Sequence, residues 1–214
     1  MYQYLIEGGF PLKGTIKASG NKNAALPCIA AALLTEERVI LRNLPDIEDM
    51  HVMLEIFAAL GGEVENIGAN DYALRIQKVE RNDIPLDLSK KIRASILFAG
   101  PLLARSGKAV LPPPCGDVIG RRRLDTHFLA LTELGARVDI DGQFTFTANK
   151  LSVQDIFLDE ASGTATENAV MAAVLAEGTT IITNAASEPH VQDVCKMLNS
   201  MGAKISGIGS NILT

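Results

Sequence analysis

Apolar residues recur at three- and four-residue spacing in three stretches of the chain: Met50, Met53, Leu54, Phe57 and Leu60; Leu124, Phe128, Leu131 and Leu134; and Val191, Val194, Cys195, Leu198 and Met201. That spacing puts side chains on one face of an α-helix, so each stretch predicts a helix with one stripe against a core. The Met, Phe and Cys members of the stripes are read as packing residues. Each stripe ends in the same step, Leu60-Gly61-Gly62, Leu134-Gly135-Ala136 or Met201-Gly202-Ala203, where glycine can adopt the left-handed conformation that stops a helix. Ahead of each lies a small-residue apolar helix, a short polar turn (Thr35-Glu36-Glu37, Ser106-Gly107, Glu177-Gly178) and a β-branched strand, and another strand follows each. Between the first two stripes, Asn66 to Lys90 alternates polar with apolar residues (Tyr72, Leu74, Ile76) and carries turn signals at Gly68 to Asp71 and at Pro85, which predicts a β-hairpin.

The glycine steps stand roughly 70 residues apart, so the chain reads as three copies of one supersecondary unit. The implied class is α/β, with helices wrapped by three similar strand groups. At 214 residues the chain can bury a sizeable core as one large or two small domains. Its longest apolar run, Ala24 to Leu34, is broken by Pro27 and is far short of the ~20 residues that span a bilayer. No membrane partner is expected, and the N-terminus has no basic, then apolar, signal-peptide pattern.

Charge narrows the chemistry. Twenty Lys and Arg against 25 Asp and Glu leave a net −5, which removes the broad basic field that nucleic-acid binding needs, so any anion site must be local. Three cysteines at wide spacing, Cys28, Cys115 and Cys195, point to reduced thiols of a cytoplasmic protein rather than a disulfide framework, and no metal-ligand spacing is present.

Three constellations can carry an anion site. Ser19-Gly20-Asn21-Lys22-Asn23 precedes an apolar helix beginning near Ala24, where Ser19, Asn21 or Asn23 can cap it. Lys22 adds charge where the helix dipole is already positive, an unfavourable placement unless an anion sits nearby. Lys90-Lys91-Ile92-Arg93-Ala94-Ser95 holds the corresponding place in the second unit, and the hydroxyl-rich Ser162-Gly163-Thr164-Ala165-Thr166 in the third. If the units are related by approximate symmetry, these helix starts converge on one face. The third constellation runs from Pro112 to His127: a proline-stiffened loop with Cys115, Gly116, Asp117 and Gly120, then Arg121, Arg122 and Arg123 opening a helix. Arginines at such a place suit a phosphate-bearing ligand. Cys115 and Asp117 are both candidates for a general acid.

Gly20 to Ala25, Arg93 to Ser95, the loop Asp117 to Arg122, Asp125 to His127 and Ala176 to Thr180 together make the chain similar, over essentially all its length, to the N-terminal half of the UDP-N-acetylglucosamine 1-carboxyvinyltransferase family. The resemblance implies an inverse α/β barrel domain of the enolpyruvyl transferase type, built from three βαβαββ-like repeats over residues 23–214. Residues 1–22 are implied to be a strand that packs with a second domain absent from this chain. The implied reaction transfers the enolpyruvyl group of phosphoenolpyruvate to the 3-hydroxyl of UDP-N-acetylglucosamine in peptidoglycan synthesis, without a cofactor. The resemblance places phosphoenolpyruvate at Lys22 and Asn23 and substrate phosphate at Arg93 and Arg122. Arg123, Leu124, Asp125, Thr126, Ser162 and Gly163 fall in the uridine-nucleotide segments. Aligned on Ile119-Gly120, the loop sets Asp117 where most members carry a cysteine, which makes Asp117 the proton donor and implies resistance to fosfomycin, the epoxide that alkylates that cysteine. The partners implied are the two substrates and a C-terminal enolpyruvyl transferase half, without which the chain is expected to be inactive. Two alternatives stand beside this reading: a half of the shikimate-pathway enolpyruvyl transferase, and a non-catalytic phosphate-ligand module.

Overall fold

The computed structural model describes residues 3–113 and 123–214. Helix α1 (Lys22–Ala31) starts slightly earlier than the pattern predicted, because Asn21 is its cap: Asn21 Oδ1 accepts from the backbone N–H of Asn23 at 2.8 Å and of Ala24 at 3.3 Å. A 3-10 turn (Ala32–Leu34) closes α1 and leads to β1 (Val39–Leu41), α2 (Glu48–Ala59), β2 (Glu63–Gly68) and β3 (Asp71–Arg75). The second unit comprises a short α3 (Leu86–Ser89), a 3-10 stretch (Arg93–Phe98), α4 (Ala99–Ser106), β4 (Lys108–Leu111), α5 (Asp125–Glu133), β5 (Arg137–Ile140) and β6 (Phe144–Thr147). The third holds β7 (Asp155–Phe157), α6 (Gly163–Ala173), β8 (Ile181–Thr183), α7 (Pro189–Ser200) and β9 (Ile212–Leu213).

Each unit makes a three-stranded sheet. The orders β1-β3-β2 and β4-β6-β5 repeat with both neighbour pairs antiparallel, whereas β8 pairs in parallel with β7 and antiparallel with β9. The difference is one of extent. In the second unit a parallel bridge from Asp83 to Val110 occupies the place of β7. In the third, Ser206 and Thr214 exchange backbone hydrogen bonds of 2.8 and 3.1 Å, which tie the segment after α7 to the end of β9. The first two units thus share the run helix-β-helix-β-β, and the third has β-α-β-α-β. Residues 3–19 form no strand, and Tyr4, Leu5, Ile6, Phe10, Leu12 and Ile16 are exposed.

Helices lie inside and sheets outside. Each sheet turns apolar residues outward, among them Ile40, Ile140 and Phe157, while the helix stripes fill the centre. Met50, Met53, Leu54, Phe57, Leu60, Leu131, Leu134, Val191, Val194, Cys195 and Leu198 are buried, with Leu124, Phe128 and Met201 partly so. Helix α1 packs between α2 of its own unit and α7 of the third, and α6 packs against α4, α5 and α7. The stop glycines Gly61, Gly135 and Gly202 have φ of 103°, 95° and 111°, a region that L side chains rarely enter.

Two expectations need correction. The hairpin is β2–β3, turning at Asn70 with φ 64°, and it does not extend to Lys90. Pro85, with φ fixed at −55°, starts α3 instead. Arg123 does not open a helix either: α5 begins at Asp125, and Arg123 lies in the segment before it, while Arg121 and Arg122 lie outside the described residues.

Candidate functional site

Helix α1, the 3-10 stretch of the second unit and helix α6 begin at one open cleft of about 770 Å³. Its walls include Lys22 and Asn23 from α1, Lys90, Lys91 and Arg93 from the second unit, and Ser162, Gly163 and Thr164 from α6. The positive ends of the helix dipoles and the nearby cations make a surface suited to an anion. The units are thus arranged as their sequence similarity predicted, and five of the expected site residues, Lys22, Asn23, Arg93, Ser162 and Gly163, meet here.

The charge at Lys22 is balanced. Its ammonium forms an ion pair with Asp49 in the first turn of α2, so the acid that offsets Lys22 at a positive helix end comes from the neighbouring helix. Lys91 has Glu55 at 3.8 Å. Both pairs are half exposed and contribute little stability; their effect is to hold the amines at the rim.

Arg123, Leu124, Asp125 and Thr126 do not line the cleft but form a knot beside it. Arg93 donates from Nη2 to the Arg123 carbonyl at 3.1 Å, Arg123 Nε donates to Asp125 Oδ2 at 2.6 Å, and Arg123 Nη2 lies 3.9 Å from Asp159 Oδ2. The buried Thr126 hydroxyl donates to Asp159 Oδ1 at 2.7 Å. Leu124 packs on the core. Asp117, Arg122 and Cys115 lie outside the described residues.

Beneath the cleft, Asn168 ties the second and third units together. Its Oδ1 accepts from Gly100 N at 2.8 Å, and its Nδ2 donates to the Ile96 carbonyl at 2.8 Å and to His127 Nδ1 at 3.0 Å. A donor at Nδ1 leaves the ring proton on Nε2, which faces Thr164 Oγ1 at 3.2 Å. Burial pushes His127 down to about 4, with the Arg93 charge adding to it, so the ring is neutral. Asn168 therefore fixes the start of α6, with Ser162 and Gly163, relative to Arg93.

Glu167 is the residue that pattern reading missed. It is 1 % exposed, its Oε1 has no hydrogen-bond partner, and burial together with the neighbouring Glu188 pushes its carboxyl up to about 8. An acid inside an otherwise small-residue apolar helix was the available signal. Asp49, Glu188 and His190, which also border the cleft, come from segments that carried no motif. Among the described residues no cluster of His, Cys, Asp or Glu could hold a metal ion, and no helix is long and apolar enough to cross a membrane.

Residues 6–213 match the family model described as EPSP synthase (3-phosphoshikimate 1-carboxyvinyltransferase). The chain belongs to that family. Among curated relatives it is 74 % identical over its whole length to the UDP-N-acetylglucosamine 1-carboxyvinyltransferase of Treponema denticola, and 67 % and 54 % identical over 99 % of its length to those of Treponema pallidum and Bradyrhizobium diazoefficiens. It spans about half the length of each, 50 %, 50 % and 49 %. Among solved structures, the enolpyruvyl transferase NikO of Streptomyces tendae is 27 % identical with a TM-score of 0.81, covering 96 % of this chain and 48 % of that one. The EPSP synthase of Acinetobacter baumannii, 19 % identical over 94 % of this chain and 46 % of its own, shares the fold with a TM-score of 0.73. The three-repeat α/β domain of this chain is thus an enolpyruvyl transferase domain.

Proposed function

We propose that this chain supplies the N-terminal domain of an enolpyruvyl transferase that moves the enolpyruvyl group of phosphoenolpyruvate onto the 3-hydroxyl of UDP-N-acetylglucosamine. The observation that carries the reading is the convergence of Lys22, Asn23, Arg93, Ser162 and Gly163 on one cleft at three helix starts. The name borne by relatives 54–74 % identical to it adds the acceptor, UDP-N-acetylglucosamine, and the carboxyvinyl group transferred.

Chemistry assigns the roles. The sugar oxygen attacks C2 of phosphoenolpyruvate while C3 takes a proton, giving a tetrahedral ketal; loss of a C3 proton and of phosphate then yields the enol ether. Three negatively charged groups must be held together, which suits Lys22 and Asn23 on phosphoenolpyruvate and Arg93 and Arg122 on phosphate. Arg123, Leu124, Asp125 and Thr126 serve the nucleotide indirectly: their knot holds Arg93 beside the cleft. Asp117 delivers the C3 proton. A carboxyl in that role needs its pKa raised from about 3.9, and it attacks an epoxide far less readily than a thiolate, so fosfomycin does not inactivate the enzyme. Residues 1–22, with their exposed apolar side chains, pack on the C-terminal domain that closes the cleft. The enzyme works in the cytoplasm, in cell-wall synthesis, without a cofactor.

The test mixes the chain with a C-terminal half and follows phosphate release. Turnover with UDP-N-acetylglucosamine only in the mixture supports the proposal. Release by the chain alone refutes the need for a partner domain, and turnover with shikimate 3-phosphate in place of the nucleotide sugar refutes the substrate.

A further inference from the structure

Glu167 takes no part in the roles above, yet it is one of the residues bordering the cleft and its Oε1 is buried without a partner. It follows Gly163 by four residues on α6, so both face the same side of the helix. His190, in the first turn of α7, stands against that side: its Nε2 lies 3.9 Å from Glu167 Oε1, and a Cβ added to Gly163 would come within 3.1 Å of the same nitrogen. The imidazole is thus wedged between the start of α6 and the buried acid one turn below.

The groups that face Glu167 decide its charge. From α7 and its cap these are Glu188, His190 and Cys195; from α1, Cys28 and, at the cleft wall, Lys22; from the second unit, Lys90, Lys91 and Arg93 on the same wall, with His127 beneath the cleft beside Thr164 of α6. Helix α4 offers only Arg105, which is turned away to the carbonyls of Leu33 and Gln77. Cys28 and Cys195 are neutral thiols pushed up to about 12 and about 11 by burial, and His127 is neutral. Among the described residues no Lys or Arg pairs with Glu167. An ionised carboxylate here would be buried, unpaired, and directly below the helix start where the proposed ligands bring their own negative charge.

We propose that Glu167 is a protonation gate for the cleft: with the proton on Oε1, directed at His190 Nε2, the wall below Gly163 is neutral and an anionic ligand seats, and loss of that proton expels it. This inference rests on the cleft being the substrate site. It makes anion binding and protonation of one buried acid a single linked equilibrium, in which the ligand raises the proton affinity of Glu167 as much as the proton raises that of the ligand.

The experiment is calorimetric titration of UDP-N-acetylglucosamine into the chain from pH 7 to 9.5, for the natural sequence and for Glu167→Gln, which keeps the shape and cannot ionise. With ionisation near pH 8, affinity of the natural chain falls about tenfold between pH 7 and pH 9, in proportion to the protonated fraction. Glu167→Gln flattens that dependence. A purely structural role for Glu167 would lower stability in the variant and leave the two pH profiles parallel. A measurement on the unaltered chain guards against a variant that does not fold: the carboxyl ¹³C resonance of Glu167 titrates near 8 and moves to higher pH with saturating ligand. Binding with the same profile in both proteins, or a ¹³C midpoint in the ordinary carboxylate range, overturns the gate while leaving the substrate reading intact. Absence of binding by both proteins at every pH overturns the substrate reading and the gate together.

Discussion

Replacing Asn168 with alanine should loosen the joint between the second and third units and, through it, the site. The side chain is fully buried and spends both its donors and its oxygen on the Ile96 carbonyl, His127 Nδ1 and Gly100 N. Three bonds at a net ~1 kcal/mol each give a loss of about 3 kcal/mol, and groups left dry in the core push the figure upward. With an m-value of about 2 kcal/mol per molar urea, the unfolding midpoint falls by roughly 1.5 M. Asn168→Asp separates the contributions. It keeps the acceptor for Gly100 N and loses both donors, so it should also destabilise, and the carboxylate beside His127 should raise the proton affinity of a ring that burial now holds at about 4. Equilibrium unfolding followed by circular dichroism, with the His127 ring monitored by NMR, reads both effects. A loss below about 1 kcal/mol for Asn168→Ala would refute the claim that this residue couples Arg93 to the start of α6, since only compensation by water or repacking could leave three buried groups so nearly unaffected.

Gly100→Ala attacks the same joint sterically: its Cβ would lie 2.5 Å from the Asn168 backbone carbonyl, and forcing α4 and α6 apart should lower stability by about 1–3 kcal/mol in the same unfolding assay. Two buried groups set opposite pH slopes. His127, lowered from 6.5 to about 4, withholds a proton that the unfolded chain takes up, so stability is lost as pH falls from 6.5 toward 4; Glu167, raised from 4.5 to about 8, keeps a proton that the unfolded chain releases, so stability is lost as pH rises from 4.5 toward 8. These two contributions cancel between 4.5 and 6.5, and urea midpoints measured across pH should show a decline from 6.5 to 8 that Glu167→Gln abolishes. Lys22→Ala in the two-half enzyme should weaken phosphoenolpyruvate binding by roughly 1.5–3 kcal/mol, the range for a hydrogen bond to a charged group, and unchanged affinity would remove Lys22 from the site.

The repeat, the helix stripes and the stop glycines were legible in the sequence because each rests on local physics. A 3.6-residue apolar period and a glycine free to take positive φ act within one element, whatever surrounds it. The family resemblance rested on the same kind of local record, short motifs at fixed positions. Convergence of three helix starts on one cleft was an inference from symmetry, and it held for Lys22, Asn23, Arg93, Ser162 and Gly163. The end of the hairpin and the start of α5 were misplaced because alternation and charge runs do not show where a proline or a long-range contact ends an element. What tertiary structure alone decided is which charges meet. Asp49 reaches Lys22 from another helix, Asn168 spans two units, and Glu167 becomes a buried acid beneath the site only because α1, α6 and α7 close around it. The free energy of a charge depends on the water removed and the partners supplied by distant segments, and neither quantity is written in the residues beside it.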